Sequence, residues 1–333
     1  MVWKSVCCAL QGRGHLKKNI PCQDKVTRRE ENGIHVIVLA DGAGSAVFSH
    51  FGAECVVNCV AEFILKKFFD LITCEDGHKV KKELLSVILK SLEEEAMERK
   101  CLIKDLASTL LVVAVSDKSF FLAHLGDGVI GYLNDTGLKT VSTPDNGEFA
   151  NETFFVTSVN AEARMKIYKG ELKKISGFVL MSDGTEQSLY NKRNKTLAPV
   201  IKRLLHRTCL ISPEILTPQL EDALGSVVID NTYDDCSIAL LARTSEQLPP
   251  LDELPLSERQ TLFKASGNPL LRKVRQIIFR YDEIYEILKN PITLHELSRK
   301  LHLKKRYVKK KLQRLIEAGI VIRKKFMFKI YCQ

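Results

Sequence analysis

His35-Val36-Ile37-Val38-Leu39-Ala40-Asp41-Gly42-Ala43-Gly44-Ser45 is the stretch on which the fold turns. A run this apolar, with no polar alternation, reads as a strand buried on both faces, and the Asp-Gly that ends it sets a carboxylate at the strand terminus. The pattern recurs. Phe120-Phe121-Leu122-Ala123-His124-Leu125 runs into Gly126-Asp127-Gly128, and Phe178-Val179-Leu180-Met181 into Ser182-Asp183-Gly184. Residues 109–115 and 237–241 add two more β-type runs. Residues 49–69 and 79–100 have helical periodicity, with Val56, Val60, Phe63 and Ile64 on one apolar stripe. Strands and helices arrive in groups, so sheets packed with helices are expected rather than a strict βαβ array.

A length of 333 residues makes two domains the leading expectation. With 45% hydrophobic and 27% charged residues the chain can bury a core, which excludes disorder and collagen-like repeats as its main state. No segment approaches the roughly 18 uninterrupted apolar residues of a membrane span, and residues 1–15 lack the order of a signal peptide. A cytoplasmic protein without membrane contact is expected. The cysteines are scattered from Cys7 to Cys332 without CxxC spacing and read as reduced thiols, not as a disulfide framework or zinc ribbon. Cys55 and Cys59 share a helix face but lack a second pair of soft ligands.

Five places bring an aspartate to or beside a strand end: Asp24 in Cys22-Gln23-Asp24, Asp41, Asp127, Asp183, and the pair Asp234-Asp235. Carboxylates gathered at strand termini repel one another unless a hard cation neutralises them, and oxygen donors beside glycines suit Mg²⁺ or Mn²⁺. Any one Asp-Gly is an ordinary turn pair; the ordered series is what points to a metal centre.

Gly14-His15 with Cys22-Gln23-Asp24, then Asp41-Gly42-Ala43-Gly44-Ser45, Ala107-Ser108-Thr109-Leu110, Gly126-Asp127-Gly128, Ser182-Asp183-Gly184 and Asp234-Asp235-Cys236-Ser237 together resemble the metal-dependent protein phosphatases of the 2C type, in their bacterial branch. The likeness covers roughly residues 1–242. It implies an α+β fold, a four-layer αββα sandwich of two antiparallel sheets flanked by helices, with a two-metal centre at one end of the sheets. Carried over motif by motif, Asp41 bridges both ions and Gly42 lends its carbonyl. Asp183 and Asp234 complete one ion, Asp24 (with or beside Gln23) serves the other, and Asp127 holds a third, weaker one. The implied enzyme is a serine/threonine protein phosphatase in which a hydroxide bridging two Mn²⁺ or Mg²⁺ ions attacks phosphorus directly. No phosphoenzyme is needed. The implied partners are a phosphoprotein substrate and the Ser/Thr kinase that opposes it.

Four positions depart from the family's pattern. Gln23 stands where many relatives have Glu, Asp235 where many have Asn, and Ala43 where some have a proton-donating His. Asn19 stands near the place of the usual phosphate-binding Arg. His15, Arg13, Lys17 and Lys18 are the candidates to replace that Arg, with His15 favoured as a catalytic residue because the bacterial branch often shows Gly-x-x-His there. A metal-held water and His50 are the alternatives for the general acid. The hydroxyls of Ser108 and Thr109 are read as caps on backbone groups at a strand start. Residues 186–225 would hold the variable segment that shapes substrate access.

The net charge of +10 hides an asymmetry: from Arg259 onward 20 Lys and Arg face 5 Asp and Glu, a net of +15, which leaves −5 for everything before. Prolines at 249, 250 and 255 interrupt regular structure just ahead of the change. The expected division is a catalytic domain over 1–244, a linker over 245–267, and a basic domain over 268–333. From Asp282 the pattern predicts three helices and a hairpin, resembling a winged helix-turn-helix. Ile284, Ile287 and Leu288 line the first helix; Thr293 caps a second carrying Leu294, Leu297 and Leu301. The third, residues 304–318, buries Val308, Leu312, Leu315 and Ile316, with Gly319 stopping it and residues 320–331 forming the wing. Lys304, Lys305, Arg306, Lys309, Lys310, Lys311 and Arg314 are then left to exposed faces suited to DNA or another polyanion.

Two readings of the whole chain follow. The first is a metal-dependent phosphoprotein phosphatase with a basic module for targeting or regulation. The second is a nucleic-acid-binding regulator whose phosphatase-like domain is a degenerate sensor. Retention of Asp41, Asp183 and Asp234 favours the first.

Overall fold

The computed structural model describes residues 3–145, 153–211, 213–243, 256, 259–260, 272–288, 290–317, 321–324 and 327–330. In its first part the strands are β1 (Trp3–Leu10), β2 (Lys25–Glu31), β3 (Ile34–Ala40), β4 (Leu110–Val115), β5 (Ser119–Leu125), β6 (Val129–Asn134), β7 (Gly137–Ser142), β8 (Lys166–Glu171), β9 (Gly177–Met181), β10 (Tyr190–Asn191), β11 (Thr196–Leu197) and β12 (Cys236–Arg243). The helices are α1 (Arg13–Lys18), α2 (Ser49–Thr73), α3 (Gly77–Arg99), α4 (Ala161–Arg164), α5 (Asp183–Leu189), α6 (Val200–Leu210) and α7 (Pro213–Ala223).

Two five-stranded sheets run in the orders β2-β3-β4-β5-β8 and β1-β12-β9-β6-β7. Every pair in the first is antiparallel, as are β12/β9, β9/β6 and β6/β7 in the second. The uninterrupted apolarity of β3 has a direct cause. Ile34, Val36, Val38 and Ala40 pack into a core shared with α2 and α3, whereas Ile37 and Leu39 face the core between the two sheets. β4 divides in the same way, with Leu110, Val112 and Ala114 toward the helices and Leu111, Val113 and Val115 between the sheets. Successive side chains on a strand point to opposite faces, and here both faces are covered, so neither set can be polar. Val56, Val60 and Ile64 of α2 form the predicted apolar stripe and are fully buried. α7 packs against β1. This is the expected sandwich of two sheets with helices outside.

β2, Lys-Val-Thr-Arg-Arg-Glu-Glu, borders β3 at the sheet's edge, where none of its residues is fully buried and Arg28, Glu30 and Glu31 are exposed.

The chain divides into two compact units, residues 3–205 with 213–242, and residues 206–212 with the part from 243 onward. The linker expected at 245–267 lies almost wholly outside the described residues. In the second unit α8 (Arg272–Leu288) is followed by β13 (Ile292–Thr293), α9 (Leu294–Lys300), α10 (Lys305–Glu317), β14 (Val321–Lys324) and β15 (Met327–Ile330). α8 begins ten residues before Asp282, because its basic first turns hide the buried series Val274, Ile278, Tyr281, Ile284 and Leu288. Thr293 caps α9 as expected: its hydroxyl accepts from the Glu296 amide at 3.3 Å, and the Glu296 carboxylate accepts from the Thr293 amide at 3.1 Å. β14 and β15 pair antiparallel, and β13 joins the free side of β15. Gly319, Ile320 and Tyr331 lie outside the described residues. Lys304 precedes α10 rather than opening it. One exposed-face assignment is corrected: Lys311 is buried, its ammonium 3.8 Å from the ring centre of Tyr281 and 5.1 Å from that of Tyr307.

Candidate active site

The predicted acidic residues sit where strands end. Asp24 lies just ahead of β2, Asp41 follows β3, Asp127 sits in the turn between β5 and β6, Asp183 opens α5 after β9, and Asp234 and Asp235 lead into β12. Register explains their convergence. β3 and β4 are paired in register up to the Asp41 end, where the Thr109 hydroxyl accepts from the Asp41 amide at 2.9 Å and the Thr109 amide donates to the Asp41 carbonyl at 2.8 Å. The backbone-capping role read for Thr109 is thus what the structure has. The Ser182 hydroxyl accepts from the Ser237 amide at 3.0 Å and joins the ends of β9 and β12.

The carboxylates form a gradient of depth. Asp24 is 1% exposed. Asp41, Asp127 and Asp183 are half-buried, and Asp234 stands at the mouth. Neither oxygen of Asp24 has a hydrogen-bond partner, which is costly for a group so removed from water. Burial pushes the Asp24 carboxyl up to about 6, with Ser237 and Ser182 easing it and Asp235 adding to it. Asp183 is pushed up to about 7, by desolvation first and then by Asp234, Asp127 and Asp24. Asp41 rises for the same reasons, under the fields of Asp24, Asp183, Asp127 and Asp234. Asp234 is raised as well, by loss of water first, with the Asp235 amide that donates to it at 2.9 Å and His15 pulling the other way and the Asp235 and Asp127 carboxylates adding to the rise. These groups share one electrostatic environment, and each disfavours the charge of the others.

Asp235 is different. Its Oδ1 accepts from the Gly12 amide and its Oδ2 from the Gln23 amide, both at 2.6 Å, and His15 Nδ1 lies 2.9 Å from Oδ2. Its carboxylate is spent on pinning the start of α1 and the segment carrying Asp24. This tight docking also explains two glycines. A Cβ on Gly12 would collide with the Asp234 carbonyl, and one on Gly184 with the Asp235 carbonyl.

The side-chain Nε2 of Gln23 donates to the Ser49 hydroxyl at 2.7 Å, and a Cβ on Gly42 would press on Ser49 at 2.8 Å. Arg13 donates to the Asp230 carbonyl at 2.8 Å and lies over the Tyr233 ring at 5.1 Å, with Lys17 above the same ring at 5.7 Å. Three polar partners were not legible in sequence. Asp127 Oδ2 accepts from the Thr153 hydroxyl at 2.6 Å. The fully buried Glu186 pairs with Lys192 at 2.5 Å, and Lys192 feels Asp183 and Asp127 too. His124 Nδ1 meets Ser142 Oγ at 2.6 Å, and burial, then Lys166, drops its pKa to about 3. The contacts of Asp127 and His124 join residues at least 18 apart, and the six-residue step from Glu186 to Lys192 matches no helical or strand spacing that would mark it.

The donor set fits a hard divalent cation: oxygen ligands only, a deep carboxylate with both oxygens unmatched, and mutual repulsion that a positive charge relieves. Among the described residues no three Asp, Glu, His or Cys side chains surround a single point at coordination distance.

A sandwich of two sheets with this acidic end defines a phosphatase class, and sequence comparison agrees: the protein phosphatase 2C profile matches residues 11–225, and the chain belongs to that family. The Asp234-Asp235 pair lies beyond the matched stretch. The chain is similar to serine/threonine-protein phosphatase 3 of Escherichia coli K12, 25% identical over 262 residues, covering 74% of this chain and all of that protein. Among solved structures it is similar in fold to a bacterial serine phosphatase (TM-score 0.51, 18% identity, 74% of this chain and all of the other). PppA, described as a key regulatory component of T6SS in Pseudomonas aeruginosa, shows the same likeness (TM-score 0.51, 14% identity, 73% and 99% covered).

Proposed function

We propose that this chain hydrolyses phosphoserine and phosphothreonine esters of proteins, using Mn²⁺ or Mg²⁺ held by Asp24, Asp41, Asp183, Asp234 and the Gly42 carbonyl, with Asp127 serving a third, weaker ion. The observation that carries the metal reading is the Asp24 carboxylate, buried with neither oxygen matched. Divalent ions, when bound, neutralise these carboxylates and the substrate phosphate and lower the pKa of water in their shell. His15 contacts the substrate. Its Nδ1 lies 2.9 Å from the Asp235 carboxylate, and Nε2 is the nitrogen for a phosphate oxygen or the leaving oxygen. Arg13 and Lys17, clustered on exposed Tyr233 next to Asp234, add positive charge at the mouth.

The second unit, with three helices and a three-stranded sheet in the order β13-β15-β14, supports the winged-helix reading. Lys304, Lys305, Arg306, Lys309 and Lys310 are exposed and Arg314 half-buried, a surface for DNA or another polyanion. The substrate would be the target of a Ser/Thr kinase acting in the same compartment, taken to be the cytoplasm. No described helix is long and apolar enough to cross a membrane. The convergence of five carboxylates weighs against a degenerate sensor.

The test is phosphate release from a phosphothreonine peptide with Mn²⁺, Mg²⁺ or chelator. Turnover with metal and none with chelator is expected. A folded chain inert with every metal overturns the reading.

A further inference from the structure

The basic unit offers more than the outer face of α10. On α8, Arg272, Arg275, Gln276, Phe279 and Arg280 recur at spacings of three and four residues and line, with Tyr307 of α10, a groove of about 820 Å³. None of the lining residues is acidic; Arg280 is also tied to Glu283 at 2.9 Å. Two rings stand open in this groove, Phe279 at 66% exposure and Tyr307 at 46%. Single exposed apolar side chains are common. Two beside three guanidinium groups make a composite surface. The buried Lys311 ammonium lies 5.1 Å from the centre of the Tyr307 ring and 3.8 Å from that of Tyr281, whose hydroxyl accepts from Arg314 at 3.2 Å. A cation thus lies beside the ring while nearly half of the side chain stays open.

We propose that this groove binds single-stranded nucleic acid, with bases stacked on Phe279 and Tyr307 and phosphates held by Arg272, Arg275 and Arg280. The ligand's chemistry follows from the lining. A duplex keeps its bases stacked on each other and has no use for open rings, and an acidic peptide supplies charge but few planar faces, whereas an unpaired strand supplies both. The inference deepens the polyanion reading of the basic unit and rests on it.

The experiment uses the full chain and measures fluorescence anisotropy with a labelled oligodeoxythymidine, a duplex of equal length, and polyglutamate as competitor. The single strand should bind roughly tenfold or more tighter than the duplex, and Phe279→Ala and Tyr307→Leu should each weaken it by about tenfold, the scale of one lost stacking contact. Raising salt from about 50 to 200 mM should weaken it with a logarithmic slope near −0.7 per phosphate neutralised. Melting curves of both variants control for folding, and Phe279, being exposed, is the cleaner site. Equal affinity for duplex and single strand, unmoved by Phe279→Ala, overturns the inference while leaving the polyanion reading intact. Competition by polyglutamate as effective as by oligonucleotide at equal charge assigns the groove to acidic protein instead. Absence of binding to any of the three overturns both.

Discussion

The two units treat like charge in opposite ways. The first gathers carboxylates at its strand ends and draws them inward, to the point that Asp24 is almost wholly removed from water without a partner. The second spreads its positive charge outward, and Lys311, its one buried lysine among the described residues, sits against two rings. Surface charge costs a fold little and tells only of affinity for the opposite sign. Buried, unpaired like charge costs a great deal, and it persists where a ligand of opposite charge repays it. The acidic site therefore speaks to specific chemistry, and the basic face to a class of partner.

The comparison breaks most sharply at Asp41. Asp41→Asn removes the carboxylate that feels every other member of the cluster, and phosphate release with Mn²⁺ should fall by about 10³-fold, several kcal/mol of transition-state stabilisation. The corresponding loss on the basic side, Lys309→Ala, should leave turnover of a short peptide unchanged. If Asp41→Asn retains activity while Lys309→Ala abolishes it, the assignment of chemistry to the acidic unit fails.

Next in size is the contrast between two neighbours. Asp235→Ala strips the acceptors from two buried amides, each costing about 1–3 kcal/mol when left unsatisfied, so the variant should melt well below the parent. Asp234→Ala removes a carboxylate from a repelling group, so without metal it should melt no lower than the parent while losing metal-dependent turnover. Equal melting of the two variants would place Asp235 among the ligands rather than the supports.

Sequence alone could not separate that pair. Strand-end aspartates followed by glycine are visible because the run before them is uniformly apolar, as β3, β5 and β9 show, and their order along the chain identifies the family. What Asp235 does depends on Gly12, His15 and Gln23, more than 200 residues away, and no spacing rule reaches that far. β2, which buries none of its residues fully, offers no apolar period to read, and in the early turns of α8 the exposed Arg272 and Arg275 obscure the buried Val274 and Ile278. Lys311 reads as exposed by the same logic reversed, since its ammonium is accommodated by the ring of Tyr281 on another helix, distant in sequence.

A smaller effect sharpens the cost of buried like charge. The Asp24 and Asp183 carboxyls titrate near 6 and 7 in the fold, against 3.8 as ordinary side chains. Between those values the folded chain holds protons that the unfolded chain has released, so stability in chelator should fall as pH rises from about 4 to about 7 and level off above. Asp183→Asn removes one of these penalties and should raise the melting temperature in chelator at pH 8 by several degrees. Saturating Mn²⁺ should cancel the advantage by stabilising the parent alone. A melting temperature for the parent in chelator that rises across this range would show that the carboxylates are not uncompensated in the fold.

The smallest effect belongs to the basic unit and tests whether it is a folded module in its own right. The Thr293 hydroxyl and the Glu296 carboxylate exchange hydrogen bonds with each other's backbone amides at the start of α9, and Thr293→Ala should cost about 1 kcal/mol. Because the cap lies far in sequence from every carboxylate of the active site, that loss should appear as faster amide exchange in α9 and α10 with phosphatase turnover unaltered. α9 positions Leu297 and Leu301 in the core beneath α10, so loosening it also loosens the surface that carries Lys305 to Arg314. Polyanion affinity should then fall modestly while its salt slope stays the same, since the number of phosphates met is set by the side chains and not by the cap. A change in slope would mean that α9 supplies phosphate contacts itself, and the basic face would have to be redrawn to include Arg299 and Lys300.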